Sequence, residues 1–239
     1  MPFGRKKRAE SADEVAPVEQ VPEVGPRLAP TGPWDPADAP DDERPRIDLG
    51  GVQVPVPEGV EVRVEVGPDG QVVAATAVDR GSQLQINAFA APKSDGIWND
   101  VRQEIAEALR AQGGSAEEVE GPFGPELRAR IPGGQPGATS PARFIGTDGP
   151  RWFLRGMLTG PASTDTAQAA RLLEVYRGTV VVRGHEAMAP RDALPLRLPR
   201  EAAAAADGLD DDGGDVTDDS TSMDDLNPFE RGPEITETR

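Results

Sequence analysis

The sequence predicts one α+β domain, in which a mainly antiparallel β-sheet is packed by two main helices. Two observations lead to this class: alternating strand patterns follow one another through hairpin-length connections, and two amphipathic helices interrupt them. We place the domain at residues 34–200, with an extended arm over residues 34–45. Residues 1–33 and 201–239 are predicted to be disordered tails, since neither has a hydrophobic period that could bury a face.

The first half of the domain is predicted to be strands and hairpins. Residues 52–56 read as an edge strand, because a central strand would not accept Pro55. The next strands alternate apolar and polar residues, with a tight turn at residues 68–70 between the first two. They are residues 60–66, 71–78 and 82–90. Trp34 is expected to hold the extended arm against the domain, since an indole ring is costly to leave in water.

The second half is predicted to contain both helices. Apolar residues recur every four positions from Ile97 to Leu109, and Gly113 ends that helix. A second helix is predicted at residues 165–177, with Ser163 or Thr164 as its N-terminal cap. The remaining strands are predicted at residues 126–131, 142–147, 151–159 and 179–183. The acidic residues Glu117, Glu118 and Glu120 are assigned to a loop, and residues 194–199 to an extended segment on the surface.

Composition excludes several kinds of chemistry. The chain has no cysteine, which excludes disulfides, thiolate zinc sites and cysteine nucleophiles, and its single histidine excludes a His–His metal pair. No apolar run approaches the ~20 residues of a membrane-spanning helix, and residues 1–14 do not have the pattern of a secretory leader. We therefore expect a cytoplasmic protein that has no membrane contact, metal site or cofactor. His185 is interpreted as a surface loop residue.

The net charge of −17 comes mainly from the ends of the chain. Residues 201–239 contain 13 acidic and two basic side chains, whereas residues 46–200 contain 19 acidic and 17 basic ones. The low isoelectric point is therefore a property of the predicted tails and the arm, and the domain itself is almost neutral.

Arginines on the predicted strands form the main candidate site. Arg128 and Arg130 alternate with apolar residues, and Arg151, Phe153 and Arg155 share one face of a later strand. If the two strands are neighbours, these five residues form one anion-binding or ligand-binding face, because a guanidinium group binds phosphate or carboxylate through two parallel hydrogen bonds. The alternative is that Glu61, Glu65 and Glu126 neutralise the arginines as cross-strand pairs.

The acidic C-terminal tail contains a candidate docking peptide. Met223, Leu226 and Phe229 stand among acidic residues, which is a composition typical of short segments that fold on a partner. We also expect the tail to compete with external anions for the arginine face, because a tether keeps it at a high local concentration.

Several motifs together resemble a known family. They are Gly32-Pro33-Trp34-Asp35, Leu49-Gly50-Gly51, Val54-Pro55-Val56-Pro57, Phe89-Ala90-Ala91-Pro92-Lys93, Gly96-Ile97-Trp98, Arg151-Trp152-Phe153-Leu154-Arg155-Gly156 and the closing segment 226–235. The chain resembles an actinobacterial domain-of-unknown-function family, number thirty-seven-ten, over residues 32–200. The resemblance implies no activity or ligand; it implies only that the gene is often encoded near a dUTPase.

Three function classes remain open. The sequence favours a non-enzymatic interaction module that binds a protein partner, because no phosphate-binding loop, nucleophile elbow or metalloprotease helix occurs. The first alternative is a nucleic-acid- or nucleotide-associated protein that uses the arginine face, although the overall acidity opposes it. The second alternative is an enzyme on a small anionic substrate, which only the neighbourhood implied by the resemblance suggests.

Overall fold

A seven-stranded antiparallel sheet forms the centre of the structure, a computed structural model that describes residues 32–68, 71–93, 96–133 and 137–199. Its strand order is β3-β4-β5-β9-β8-β7-β6. The strands are β3 (Glu61–Val66), β4 (Val72–Asp79), β5 (Ser82–Ala90), β6 (Ser115–Gly121), β7 (Gly124–Pro132), β8 (Thr139–Gly149) and β9 (Trp152–Thr159). Residues 1–31 and 201–239 of the two predicted tails and the tip of the turn at residues 68–70 lie outside the described residues, whereas Gly32 and Pro33, assigned to the N-terminal tail, are described and buried.

A separate three-stranded sheet consists of β1 (Arg46–Asp48), β2 (Val52–Pro55) and β10 (Val180–Val181), with β2 in the middle. The prediction that residues 52–56 form an edge strand is therefore wrong. Pro55 is tolerated because it lies at the end of β2, opposite Arg46 of β1, at a level that β10 does not reach. The missing N–H group of Pro55 therefore removes no hydrogen bond between β2 and β10.

One helix packs on each face of the large sheet. Helix α1 (Trp98–Ala111) lies on the β6–β7–β8 half of one face, and α2 (Thr166–Gly178) lies against β4, β5 and β2 on the other. A short 3₁₀ turn, Gly160–Ser163, leads from β9 into α2. The predicted cap of α2 is wrong by one or two residues: Asp165 is the cap, and its Oδ1 accepts a hydrogen bond from the Ala167 N–H at 2.8 Å.

The sheet separates two hydrophobic clusters. On the α1 face, the helix packs on aromatic and aliphatic side chains that include Phe89, Leu127, Phe144 and Phe153. On the α2 face, a larger cluster is built around side chains such as Trp152, Leu154 and Tyr176 and extends to the small sheet. Burial on both faces is the arrangement that the α+β prediction requires, and the class is confirmed.

Most predicted elements are found, but one strand was assigned to a loop. The loop assigned to Glu117, Glu118 and Glu120 is strand β6, which pairs with β7 along its whole length. Because β6 is the last strand of the sheet and carries acidic side chains into water, its hydrophobic alternation is too weak to be recognised. The extended segment at residues 194–199 is confirmed, with Leu194 and Leu196 buried against the sheets.

Trp34 connects the extended arm to the domain, as predicted. Its N–H donates to the Thr179 carbonyl at 2.9 Å, and its carbonyl accepts from the Val181 N–H at 2.8 Å. The arm is thus paired along its backbone beside β10, and the half-buried indole adds side-chain contact.

The N-terminus of α1 depends on a carboxylate from β8. Asp148 Oδ1 accepts hydrogen bonds from the N–H groups of Ile97 at 2.8 Å and Trp98 at 3.2 Å, whereas Ile97, the helix's own cap residue, supplies no side-chain acceptor. Gly96 is required by this close approach, since a Cβ there would lie 2.4 Å from Asp148 Oδ2. Asp148 therefore joins α1 to the sheet and also satisfies its first N–H groups.

Replacing Asp148 tests this cap. D148A should lower the free energy of unfolding at pH 7 by about 1 kcal/mol, the usual cost of losing a side-chain cap. D148N should retain most of the stability, because its amide oxygen can still accept both hydrogen bonds. Urea unfolding of the two variants and the parent chain measures the difference. Equal losses in D148A and D148N would contradict a capping role.

The same residue predicts a pH dependence. Burial raises the pKa of Asp148 above its usual value, so the native state holds this proton more tightly than the unfolded chain. The resulting stabilisation is complete below the unfolded pKa of about 3.9 and is lost as the pH rises through the native pKa. The stability of the parent chain relative to D148N should therefore fall as the pH rises from about 4 towards neutrality. A difference that stays constant over this range would refute the raised pKa.

Candidate functional site

The two helices leave half of each sheet face without helical cover. Helix α1 packs over β6, β7 and β8, and α2 packs over β4 and β5 on the opposite face. In the described part of the chain, no helix packs on the α1-side face of β3, β4 and β5, and the 3₁₀ turn Gly160–Ser163, not an α-helix, borders the α2-side face of β6, β7 and β8. Predicted site residues are found beside both of these half-faces.

Arg128 and Arg130 project from β7 on the α2 side. Their neighbours Leu127, Ala129 and Ile131 are buried against α1, and alternate residues of a strand point to opposite faces. Both arginines are exposed, and 57% of the Arg128 side chain remains accessible. The two guanidinium groups thus lie on one face, as the sequence predicts.

Phe153 and Arg155 do not join that face. In the β8 register, Leu127 pairs with Phe144 and Phe144 pairs with Met157, so the odd-numbered residues of β9 lie on the α1 side. Phe153 is fully buried there among the aromatic rings of the α1 cluster. The expectation of a single arginine face with an aromatic ring is therefore wrong, because β8 lies between β7 and β9 and its register places the two strands' predicted residues on opposite sides.

Arg151 has a third position, in the turn between β8 and β9. Its backbone is left-handed, with φ of 61°, and its Nη2 donates to the Gly184 carbonyl at 3.0 Å. This residue joins the turn to the segment after β10 and is separate from both half-faces. The three docking residues predicted in the tail, Met223, Leu226 and Phe229, lie outside the described part of the chain.

Arg128 and Arg130 line a cleft of about 390 Å³ between the sheet and the start of α2. The opposite wall carries the hydroxyl-bearing residues Ser163 and Thr164, and Glu117 of β6 contributes one acidic side chain. The remaining lining residues are Ser115, Ala116, Ala129, Pro141 and Ala142. The arginines, the hydroxyl groups and the small neighbouring side chains form a concave, polar surface.

A buried ion pair lies beside this cleft on the same face of the sheet. Glu126 Oε2 accepts from Arg143 Nη2 at 2.8 Å, and both side chains are almost completely inaccessible. Glu126 Oε1 is 4.0 Å from Nε of Arg128, at the limit of an ion pair. Arg143 was not singled out from the sequence, although its position opposite Arg128 would have followed from the strand register.

The predicted neutralisation of the arginines is therefore only partial. Glu61 pairs with Arg63, and both oxygens of Glu65 accept from Thr76 and Gln85. Glu126 is committed to Arg143 and approaches Arg128 only at 4.0 Å. Among the residues that the structure describes, no carboxylate lies within ion-pair distance of Arg130.

Other kinds of site were sought over the described ranges. No group of three or more His, Asp or Glu side chains is arranged there to hold a metal ion. No helix in those ranges is long and apolar enough to cross a membrane. His185 lies in an exposed segment after β10, in agreement with its interpretation as a surface residue.

Comparison with known proteins identifies the family. The family described as "Protein of unknown function (DUF3710)" matches residues 32–205, which is most of the chain. The chain belongs to this family. No curated protein matches the chain, so membership of DUF3710 brings no activity, ligand or partner with it.

One solved structure shows a distant likeness. It is the solution structure of cyanobacterial PsbP (CyanoP) from Synechocystis sp. PCC 6803, at 14% sequence identity and a TM-score of 0.33. The match covers 57% of this DUF3710 chain and 91% of the PsbP chain. A likeness of this size carries no information on function.

The buried ion pair predicts a large response to mutation. E126L should lower the free energy of unfolding by about 3 kcal/mol, because it leaves the Arg143 charge buried without its partner. The double variant E126L/R143M should cost less than E126L alone, since both charges are then absent. Urea unfolding checks this, with E117Q as the control at an exposed acidic residue of the cleft. A double variant less stable than E126L would contradict the coupling.

Proposed function

We propose that the chain is a cytoplasmic, non-enzymatic binding module that recognises an acidic segment of a protein partner through the cleft at Arg128 and Arg130. The observation that carries the proposal is the exposure of these two guanidinium groups in a concave surface, where no carboxylate of the described residues lies within 4.0 Å of Arg130. Arginine side chains exposed on a flat surface are common and would not by themselves indicate a binding site. In a cleft, the N–H groups of the two guanidinium groups provide several convergent hydrogen-bond donors.

The spacing of the arginines suits an extended acidic peptide. Residues two apart on one strand are separated by about 7 Å, which is also the repeat of side chains on one face of an extended peptide. Carboxylates at alternate positions of such a peptide can each meet one guanidinium, with paired N–H···O hydrogen bonds. The cleft volume of about 390 Å³ is within the usual range of binding sites and accommodates a few side chains.

The tail of the chain forms the second part of the proposal. Residues 201–239 carry a net charge of −11, so they are the acidic segment with the highest local concentration at the cleft. We propose that they compete with an external acidic segment, while Met223, Leu226 and Phe229 dock on a protein partner. Both statements rest on the composition of this segment.

Nucleic acid is the second candidate ligand of the same cleft, because arginine also binds phosphate. The positions of the aromatic residues do not favour it. Phe153 is buried on the opposite face, and no aromatic side chain lines the cleft in the described part of the chain. Proteins that bind single strands usually stack bases on such rings. No observation on the described residues favours the remaining class, an enzyme that acts on a small anionic substrate.

Binding of model ligands by the full chain tests the cleft. A fluorescent peptide with glutamate at alternate positions should bind the parent chain, and R128Q/R130Q should weaken that binding about tenfold or more, since charge-assisted hydrogen bonds are worth about 1.5–3 kcal/mol each. Fluorescence anisotropy at low and moderate salt gives the dissociation constants. A single-stranded DNA oligonucleotide of equal charge serves as the second probe. Tighter binding of the DNA than of the peptide would favour nucleic acid.

The control is R44Q/R63Q, which removes two exposed arginines with the same change in charge, one on the arm beside the C-terminal end of α2 and one on the edge strand β3. Its peptide affinity should stay within about twofold of the parent value, because surface charges far from a site are largely screened. Equal losses in both double variants would refute a specific cleft. Deleting residues 207–239 should increase peptide affinity and remove partners captured through the tail; unchanged affinity and partners would refute the role of the tail.

A further inference from the structure

Arg155 is a buried arginine in the centre of the sheet. It lies in β9 between Asn87 of β5 and Gly146 of β8, on the α1 face, and only 9% of the residue is exposed. Its Nη2 donates to Asn87 Oδ1 at 3.1 Å, and its guanidinium carbon lies 5.5 Å from the centre of the Phe89 ring. These contacts hold the guanidinium group in one place without neutralising it.

The other buried arginines differ from Arg155 in one respect. Arg102 pairs with Glu118 at 2.7 Å, and Arg143 pairs with Glu126 at 2.8 Å. For Arg155, no carboxylate of the described residues lies within 4.0 Å, and its buried Nε has no hydrogen-bond partner among them.

The charge of Arg155 is nevertheless retained. Burial lowers the pKa of its guanidinium to about 10, so the group is still protonated at neutral pH. A buried cation without a counter-charge is costly, and proteins ordinarily pair such groups. An oxyanion that accepts hydrogen bonds from the terminal Nη groups would supply the missing charge, because Nε itself has no accessible surface.

The surroundings give such an anion a direction of approach. Asn87 is only half-buried, and its amide donates to the carbonyl of Val73, an exposed residue of β4. Arg155 therefore lies at the boundary between the residues covered by α1 and the half-face of β3, β4 and β5, on which the described residues place no helix. The nearby acid of that half-face, Glu65, is already committed to Thr76 and Gln85.

We propose that Arg155 and Asn87 form a second anion site, on the face opposite the cleft, that binds a single carboxylate or phosphate group. Phe89 supports the plane of the guanidinium, and Asn87 fixes its rotation. The site is independent of the proposed function, since it shares no residue with the cleft of Arg128 and Arg130.

Side-chain NMR of the full chain tests the site. The Nε–H signal of Arg155, assigned by through-bond NMR correlations and checked by its loss in R155Q, is followed during titration with inorganic phosphate and with acetate. Sodium chloride of equal ionic strength is the reference. A saturable shift is expected that chloride does not produce; a shift with phosphate alone assigns a phosphate site, and one with acetate alone assigns a carboxylate site. No shift beyond the chloride reference in either titration overturns the proposal.

Two further variants keep the test decisive if R155Q does not fold. N87A retains the arginine but removes its orienting partner, and it should weaken anion binding about tenfold, the effect of losing one hydrogen bond to a charged group. The R128Q/R130Q variant should give the same titration as the parent chain. If the anion-dependent shift disappeared in this variant, the bound anion would lie in the cleft. Unchanged binding in N87A would overturn the role of this site.

Discussion

Burial of strand β9 on both faces is the constraint on which the rest of the structure depends. Phe153 and Met157 pack under α1, whereas Trp152, Leu154 and Leu158 belong to the cluster around α2. A shift of the register by one residue would turn each set of side chains to the opposite face of the sheet. Neither set would then pack against the helix that it fits. The register of β9 against β5 and β8 is therefore strongly specified, and with it the face of every side chain in the sheet.

The two helices are offset on this sheet, and that offset determines which strands each of them covers. One half-face lies along β6, β7 and β8 and contains the cleft with Arg128 and Arg130. The other lies along β3, β4 and β5, where Arg155 meets the edge of the helix-covered core. The two groups of arginines are thus separated by the thickness of the sheet, so they cannot act on one ligand group.

The acidic side chains show which arginines are structural. Three arginines are held in close ion pairs: Arg102 by Glu118, Arg143 by Glu126 and Arg63 by Glu61. An exposed pair of this kind contributes little to stability, whereas the buried pair of Glu126 and Arg143 would be costly to break. Among the described residues, Arg130 and Arg155 have no carboxylate within 4.0 Å, which is why the two proposed sites are built on them.

The sequence by itself determined the fold class, most strands, both helices and the exclusion of cysteine chemistry, because these depend on local periodicity and composition. It also identified Arg128 and Arg130 as neighbours on one face, since two residues of a single strand need no tertiary information. Strand β6 escaped recognition because an acidic edge strand has little apolar alternation. Only the tertiary structure decided that Phe153 and Arg155 lie on the other face and that Arg143 meets Glu126. These facts depend on strand order and register across β8, which long-range packing sets and no local pattern encodes.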